Sequence, residues 1–226
     1  PTDEVVVTAR SREGDPMQEI NVESFNAAQG VDKAVVGPAA KAYKKGVPKP
    51  LRKGLRNFLN NLREPVVFVN YLIQLKPGKA AETAGRFALN STLGVAGVID
   101  IAKRKPFHLP YRRNGFANTL GYYGVKPGPF FFLPLLGPTT LRDLIGNIAD
   151  QTVPIGPIRP FQGNAYTIPV AVLSALDYRA EFDGELERQR ATADPYTAAK
   201  TYYLERREAE IERLRGRKRM DSAPTP

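Results

Sequence analysis

Apolar side chains recur along this chain at helical spacing, in segments that often begin at a proline and end at a glycine. The clearest segment covers residues 51–62, where apolar side chains share one helix face: Leu51, Leu55, Phe58, Leu59 and Leu62. The segment that follows Pro65 is apolar on all sides up to Leu75, which indicates burial in protein or in lipid. Prolines and glycines separate these segments, so the pattern predicts many short, proline-started helices.

Two Asp-Pro pairs are typical helix starts, because aspartate caps the first turn and proline fits it. Asp15-Pro16 precedes the first predicted helix, and Asp194-Pro195 begins a helix that runs to about residue 215. Past Leu204 that helix is mainly charged, and we expect this end to project into water. The same signals predict the other helices at residues 17–36, 39–45, 51–62, 66–75, 79–92, 141–149 and 165–190.

The chain shows neither an alternating strand pattern of useful length nor an internal repeat. The sequence therefore predicts an all-α fold, with a single helical domain over residues 15–215 that ends in a long charged helix. Residues 1–14 and 216–226 are expected to be disordered. All apolar stretches are shorter than the roughly 20 residues that a helix needs to span a bilayer, so they could enter one leaflet only.

One strongly apolar stretch, residues 120–143, cannot form an ordinary core helix because prolines and glycines interrupt it. Either it is an internal loop that closes the core, or it is a hairpin immersed in a leaflet or beside a channel. Prolines lower the number of unpaired N–H groups, which suits a loop at membrane depth. In the second interpretation, Gly137 takes part in gating and three glycines act as hinges: Gly121, Gly124 and Gly128. The side chains that would then contact lipid are Phe130, Phe131, Phe132, Leu133, Leu135 and Leu136.

The composition favours anionic partners, because the formal net charge is +10. Four basic residues are candidates for binding lipid headgroups, although a solvated helix face explains them equally well: Lys41, Lys44, Arg52 and Arg56. Nucleic acid is not expected as a partner, because the chain shows neither a known binding module nor aromatic stacking platforms.

Catalytic chemistry is not predicted from these residues. His108 is the single histidine and lies in a basic, proline-rich loop, where a histidine is usually a surface group. The chain has no cysteine, so thiol nucleophiles are excluded and a zinc site would need carboxylates almost alone. Phosphate-binding loops and nucleophile elbows are missing, so we expect no cofactor, no metal and no enzyme activity. A lipid hydrolase that uses His108 stays open as an alternative.

Short motifs in a fixed order cover most of residues 15–210. They are Asp15-Pro16 with Asn21, Val47-Pro48-Lys49-Pro50, Asn60-Asn61-Leu62-Arg63-Glu64-Pro65, Arg86-Phe87 with Asn90-Ser91-Thr92-Leu93-Gly94, Thr119-Leu120-Gly121 with Tyr123-Gly124-Val125, Leu133-Pro134-Leu135-Leu136-Gly137-Pro138, Thr140-Leu141-Arg142-Asp143 and Asp194-Pro195-Tyr196. Each motif alone is weak, but all of them in this order and spacing are specific. In these residues the chain resembles the MlaA/VacJ family of outer-membrane lipoproteins.

The resemblance implies a ring-like helical domain that lies in the periplasmic leaflet of the outer membrane around an amphipathic channel. It implies phospholipids as cargo, an outer-membrane porin trimer as a neighbour, and a periplasmic lipid carrier of the Mla system as recipient. The implied function is removal of mislocalised phospholipid from the outer leaflet, which maintains lipid asymmetry. Family members are anchored by a lipid-modified cysteine, whereas this sequence contains none. A non-transporting adaptor that stabilises an outer-membrane assembly stays open as the alternative.

Overall fold

The chain folds mainly into α-helices. The computed structural model describes residues 15–134, 136–152 and 164–216. Within these ranges the helices are α1 (Gln18–Val31), α2 (Gly37–Gly46), α3 (Lys49–Ile73), α4 (Pro77–Thr92), α5 (Phe116–Tyr122), α6 (Leu141–Thr152), α7 (Asn164–Glu181), α8 (Asp183–Arg190) and α9 (Pro195–Arg215). Two short strands, β1 (Phe130–Leu133) and β2 (Gly137–Thr140), pair between α5 and α6. Leu135 and the predicted disordered segments lie outside the described residues, except for Gly216 at the end of α9.

Proline begins several helices, as the sequence predicts, because its fixed φ suits the first turn and its missing N–H is not needed there. The helices α2, α3, α4 and α9 each carry a proline at the first or second position. The side chain of Asp194 caps α9 by accepting a hydrogen bond from the Thr197 amide at 3.0 Å. Gly216 ends the same helix in the left-handed region, at φ 76°.

A π-helical turn, Asp32–Val36, joins α1 and α2 into one continuous helical segment. Pro38 lacks the N–H that would bond the carbonyl four residues earlier, and the π turn lies directly before it. Asp32 in this turn pairs with Arg179 at 3.1 Å and with Arg190 at 2.6 Å. These ion pairs hold the first helical segment against α7 and α8.

Two predicted helix boundaries are wrong. Pro65 lies inside α3, so the two helices predicted on either side of it form one helix of 25 residues. An interior proline costs about 3 kcal/mol, and contacts with α4 before and after Pro65 offset this cost. The helix predicted over 165–190 is interrupted at Phe182, which lies between the end of α7 and the start of α8.

No described helix combines the length and the apolar character needed to cross a membrane.

The β-hairpin corrects the prediction that the chain contains no useful strand. Its antiparallel register runs from Phe130 opposite Thr140 to Leu133 opposite Gly137. Phe130 and Phe132 point to one side, as the two-residue repeat of a strand requires, and both are buried. Each strand has only four residues, and β2 itself begins with Gly137-Pro138, so the alternation is too short to recognise in the sequence.

The charged end of α9 packs against the domain, so the prediction that it projects into water is wrong. Ile211 is buried, and Leu214 packs against an apolar cluster between α3 and α4. Arg215 donates to the carbonyl of Gly121 at 2.6 Å. Long charged side chains cover apolar surface with their stems and reach polar partners with their tips, which a sequence pattern does not reveal.

Candidate functional site

Burial in this protein is partly inverted relative to a water-soluble domain, because polar clusters are buried alongside two apolar ones. Among the described residues, more large apolar side chains are exposed than buried. Burying polar groups is costly unless they are paired, so each of them needs a partner or a function. The buried polar and charged side chains are Asp15, Asn21, Asn61, Glu64, Asn70, Gln74, Thr83, Arg86, Asn90, Asn118, Thr119, Thr139, Thr140, Arg142, Asp143 and Arg179.

One polar cluster, the α3–α4 seam, consists of Glu64, Arg86, Asn90 and Asp100. The side chains of Glu64 on α3 and Arg86 on α4 are 1% and 4% exposed and lie 2.7 Å apart. Arg86 also pairs with Asp100 at 3.3 Å, and Asn90 donates to Asp100 at 3.1 Å. Burial raises the pKa of Glu64 more than Arg86 lowers it, so ionising this carboxyl group within the fold is costly.

Polar contacts continue towards the end of α3. Gln74 exchanges hydrogen bonds with Asn114, at 3.0 and 3.1 Å, and donates to Thr119 at 2.8 Å. Thr119 in turn donates to Asn70 at 2.5 Å. The interface between α3 and its neighbours therefore contains amides, a hydroxyl and an ion pair beside the apolar cluster of Val67, Tyr71 and Ala80.

The exposed apolar side chains near the ends of α3 and α4 include two on strained backbone. Leu75, just past α3, has φ 55°, and Val95, just past α4, has φ 53°. Leu75 is 82% exposed and Val95 is 64% exposed. Left-handed backbone costs an L residue roughly 1–2 kcal/mol, and glycine commonly occupies such a helix end. An exposed leucine or valine at such a position gains no burial that would offset this strain.

Two of the predicted lipid-contact residues close the core instead. Phe130 and Phe132 on β1 are 2% and 8% exposed. Phe132 packs edge-to-face on Phe25 of α1, and Phe130 packs in the same way on Tyr196 of α9. The prediction of lipid contact is therefore wrong for these two rings, because alternate positions of the strand point into the domain.

The remaining residues of the hairpin lie nearer its surface. Phe131 and Leu133 alternate with the buried rings and are half-buried. Leu136 is 72% exposed, and Gly137 has φ 75° with open space around the position of a Cβ. Lipid contact and gating stay predictions for these residues, and Leu135 lies outside the described residues.

A side-chain amide completes the free edge of β1. Asn21 on α1 donates to the carbonyl of Phe130 at 3.0 Å and accepts from the amide of Phe132 at 2.9 Å. A neighbouring strand would make these two contacts, so the amide takes the place of a strand at this edge. Asn21 is 3% exposed, so water does not compete for the same groups. The hairpin is therefore fixed to α1 through its backbone.

Asp15, Tyr196 and Lys200 hold Asn21 in place, and we call these four residues the hairpin clamp. Asn21 donates to one oxygen of Asp15 at 2.9 Å. The Tyr196 hydroxyl donates to the other oxygen, and the Lys200 ammonium lies 3.1 Å from it. Burial raises the pKa of Asp15, but these partners outweigh burial and leave the pKa below its ordinary value. The clamp joins α1, β1 and α9.

A corresponding cluster lies beside β2 and consists of Arg142, Asp143, Tyr203 and Arg207; we call it the α9 anchor. The carboxylate of Asp143 accepts from Arg207 at 2.9 and 3.0 Å and from the Tyr203 hydroxyl at 2.6 Å. Arg142 lies 2.9 Å from the same carboxylate. Burial raises the pKa of Asp143, but its hydrogen-bond and charge partners, mainly Arg207, lower it by more. The pKa therefore lies below its ordinary value. The anchor fixes α9 to the start of α6.

Of the three predicted hinge glycines, two adopt turn conformations. Gly124 and Gly128 have φ 93° and 70°, which other residues rarely adopt. Gly121 lies inside α5, and a Cβ there would come within 2.4 Å of Ile211. The hinge prediction is wrong for Gly121, because this glycine allows α5 and α9 to pack closely. A hinge at Gly124 and Gly128 stays a prediction.

The predicted headgroup residues are divided between exposed and paired positions. Lys41 and Lys44 on α2 are exposed. Arg56 pairs with two carboxylates of α7, at 2.7 and 3.2 Å, and so holds α3 to α7. Arg52 donates to a backbone carbonyl at 3.2 Å. Headgroup binding stays a prediction, and Lys41 and Lys44 are the better placed pair.

His108 lies exposed in the loop between α4 and α5. Within the described ranges, histidine and carboxylate side chains do not gather in a group of three that could hold a metal ion. Glu181, Asp183 and Glu187, which lie close together in the sequence, pair with arginines instead. These acidic residues therefore hold helices together, as ion-pair partners.

Sequence reasoning did not single out the buried polar residues as functional. Asn21, Glu64, Arg86 and Asp143 each belong to a cluster described above, yet their partners lie far away in the chain, so no local pattern marks them. One signal was available, because all four stand in the motifs that carry the family resemblance.

Comparison with known proteins agrees with that resemblance. The family model described as MlaA lipoprotein matches residues 13–210. The chain is 37% identical over 174 residues to the intermembrane phospholipid transport system lipoprotein MlaA of Haemophilus influenzae, covering 76% of this chain and 69% of that protein. It is 36% identical over 211 residues to the protein of the same name from Escherichia coli (strain K12), covering 88% of this chain and 79% of that protein.

A solved structure gives the same result for the fold. Its subject is the structural basis for maintenance of bacterial outer membrane lipid asymmetry. It superposes with a TM-score of 0.79 at 31% sequence identity, covering 88% of this chain and 99% of that chain. The predicted all-α fold class is confirmed, with the small β-hairpin as an addition. On these matches, the chain belongs to the MlaA lipoprotein family.

Proposed function

We propose that this chain is a phospholipid-transport component of the bacterial outer membrane. It forms a ring-like domain with a channel, removes mislocalised phospholipid from the outer leaflet and passes it to a periplasmic carrier. The relatives in Haemophilus influenzae and Escherichia coli are named for an intermembrane phospholipid transport system. Such transport needs no catalytic group, because lipid moves towards the site that binds it more tightly.

The inverted burial is the observation that carries this proposal. A soluble domain hides its large apolar side chains and leaves charges in water. Here Leu75, Val95 and Leu136 are exposed, whereas the ion pair of Glu64 with Arg86 is buried. Hydrocarbon around the domain and a polar interior explain both halves of this pattern, because intramembrane polar groups face one another.

We place the domain in the periplasmic leaflet, beside a porin trimer. Short apolar segments suit insertion into a single leaflet. Lys41 and Lys44 would meet lipid headgroups, where each basic residue near an anionic surface contributes about 1 kcal/mol. The porin trimer and the periplasmic carrier of the Mla system are the partners that the family resemblance implies.

The β-hairpin is the proposed gate. Its buried side is held by the hairpin clamp, so movement is confined to the turn with Leu136 and Gly137 and to the connection through Gly124 and Gly128. These three glycines have positive φ values, a backbone conformation that other residues rarely adopt. Leu136 would then contact lipid acyl chains as the turn moves.

The test is lipid transfer by the purified full chain. Donor vesicles that contain the protein and a fluorescent phospholipid are mixed with the periplasmic carrier, and lipid on the carrier is measured over time. We expect faster transfer than from vesicles without protein. Gly137→Pro should slow transfer, since proline cannot adopt φ 75°. Gly137→Asn, which tolerates this conformation, is the matched control and should transfer at the normal rate.

Two other results would replace the proposal. A protein that stabilises its membrane assembly without speeding transfer would be an adaptor. Release of free fatty acid that is lost in His108→Ala would identify a hydrolase.

A further inference from the structure

The loop between α4 and α5 concentrates positive charge at the protein surface. Residues 101–115 contain five basic side chains and no carboxylate. Three of the basic side chains are consecutive and exposed, and an aromatic ring that is 40% exposed follows them after one proline. We call this surface the basic tip; it consists of Lys103, Arg104, Lys105 and Phe107. His108 is not part of it, since it adds neither a formal charge nor an apolar ring.

The loop forms a compact turn, which holds the basic tip in place. Its base closes where the amide of Leu109 donates to the carbonyl of Ala102 at 2.9 Å. Ala102 is fully buried, and its amide donates to the side chain of Asn90 at 3.0 Å. Arg86 of the α3–α4 seam donates to the carbonyl of Leu109. A surface fixed in this way loses little conformational entropy when a partner binds to it.

The charges of the basic tip have no ion-pair partner in the described part of the chain. Asp100, the nearest carboxylate along the sequence, pairs with Arg86 at 3.3 Å. Glu82, on α4 beside the same loop, pairs with Lys79 and Arg112. Adjacent cations without carboxylate partners repel one another, so an anionic surface outside the domain would stabilise them.

The composition of the basic tip favours a lipid surface over an acidic protein. Two of its three cations are lysines, which are depleted in protein–protein interfaces relative to the rest of a protein surface. Clusters of lysine and arginine are typical of segments that bind anionic lipids. The exposed ring of Phe107 lies among these cations in the sequence, and phenylalanine combined with basic residues is typical of segments in the headgroup region of a membrane.

We infer that the basic tip docks on the phosphate groups of anionic phospholipids at the periplasmic face of the outer membrane. The inference rests on the proposed function, but it concerns the membrane around the domain and not the lipid that is transported. Each basic residue near an anionic surface strengthens binding roughly fivefold, so three of them contribute about 100-fold. Lys41 and Lys44 lie on α2, so the basic tip adds a contact from another part of the chain and restricts the tilt of the domain.

Tryptophan fluorescence tests the contact, because the chain contains no tryptophan of its own. The full chain with Phe107→Trp is reconstituted into vesicles of phosphatidylethanolamine and phosphatidylglycerol that include lipids brominated near the headgroup. We expect quenching that decreases at high salt and when phosphatidylcholine replaces phosphatidylglycerol. Tyr202→Trp is the matched control, since Tyr202 is 41% exposed on α9. Its quenching should not depend on the charge of the lipid.

Two triple variants with the same loss of charge test the role of the cations. Changing the basic tip by Lys103→Gln, Arg104→Gln and Lys105→Gln should abolish the charge-dependent quenching at position 107. It should also weaken binding of the purified chain to anionic vesicles about 100-fold. The control combines Lys33→Gln, Lys53→Gln and Arg213→Gln, which remove three exposed charges elsewhere. This control should keep the charge-dependent quenching.

Equal loss of quenching in the two triple variants would overturn the inference, because net charge alone would then attract the lipid. A tryptophan at position 107 that anionic vesicles do not quench would overturn it as well. If the basic-tip variant then slows lipid transfer to the carrier, the tip contacts the carrier protein instead of the membrane. Normal transfer without quenching rejects this inference alone, whereas the expected quenching without any transfer supports the docking and rejects the proposed transport.

Discussion

The helical hairpin of α3 and α4 and the β-hairpin that follows α5 are built in opposite ways. Between α3 and α4 the ion pair of Glu64 with Arg86 is buried beside an apolar cluster, and apolar side chains such as Leu75 are exposed. In the β-hairpin the rings of Phe130 and Phe132 are buried, and polar groups of the hairpin clamp hold the backbone. The α3–α4 pair therefore adds a buried ion pair to its apolar contacts, whereas the β-hairpin relies on aromatic burial and a clamped backbone.

Under the proposed function, the difference follows from the surroundings of each hairpin. Where hydrocarbon surrounds a helix pair, apolar contacts between helices gain little over contacts with lipid, so hydrogen bonds and ion pairs specify the packing. Where a hairpin packs inside the domain, apolar burial drives association as in water. We therefore expect α3 and α4 to depend on polar partners and the β-hairpin to depend on both rings and clamp.

Breaking the α3–α4 seam should have the largest effect. Arg86→Met leaves the carboxylate of Glu64 buried without its 2.7 Å partner, and removal of one member of a buried pair costs about 3–5 kcal/mol. Denaturant titration of the purified protein measures this loss in the free energy of unfolding. Arg104→Met, in an exposed loop, is the control.

The double variant sharpens the comparison. Replacing both members, with Glu64→Met and Arg86→Met together, removes the isolated charge, so most of the lost stability should return. A double variant no more stable than Arg86→Met would contradict the view that the unpaired carboxylate is the cause.

Breaking the hairpin clamp should have the next largest effect. Asn21→Ala leaves the carbonyl of Phe130 and the amide of Phe132 without partners, and each unpaired buried group costs about 1–3 kcal/mol. The free energy of unfolding should fall by about 2–4 kcal/mol, since the hairpin can partly adjust. Asn26→Ala, at an exposed position of α1, should change it by less than about 0.5 kcal/mol. Equal effects of the two variants would show that the amide does not hold the hairpin.

The α9 anchor should give a smaller loss that depends on pH. The folded pKa of Asp143 lies below its ordinary value of 3.8, so its ionised form stabilises the protein above that value and this stability is lost as pH falls through the folded pKa. Asp143→Asn removes charged hydrogen bonds and should cost about 1.5–3 kcal/mol at neutral pH. Unfolding measured from pH 7 to pH 3 should show the difference between variant and parent shrinking below about pH 4. A difference that stays constant across this range would exclude the anchor's charge as its source.

The sequence predicted the helices better than the contacts between them. Proline and aspartate mark the start of α9, because a cap is a local contact between Asp194 and Thr197. The strand at Phe130 was not predicted, because its edge is completed by Asn21, 109 residues away in the chain. Helical periodicity also marked Leu51 as part of one apolar face, yet this residue is 65% exposed. The helical periodicity of apolar residues shows which of them share a face, but it does not show whether that face contacts protein, lipid or water.

The smallest predicted change in stability is also the most specific test of the apolar exterior. Leu75 sits at φ 55° where a glycine would be relaxed, so Leu75→Gly should raise the free energy of unfolding in detergent by about 1 kcal/mol. The same change removes an 82% exposed apolar side chain, so binding to lipid vesicles in a flotation assay should weaken. His108→Gly, at φ 51°, is the matched control because it relieves similar strain at an exposed polar residue. It should raise stability without weakening vesicle binding. A gain in stability with weaker vesicle binding for Leu75→Gly, and a gain in stability with unchanged binding for His108→Gly, would separate a side chain kept for lipid from one that is merely tolerated.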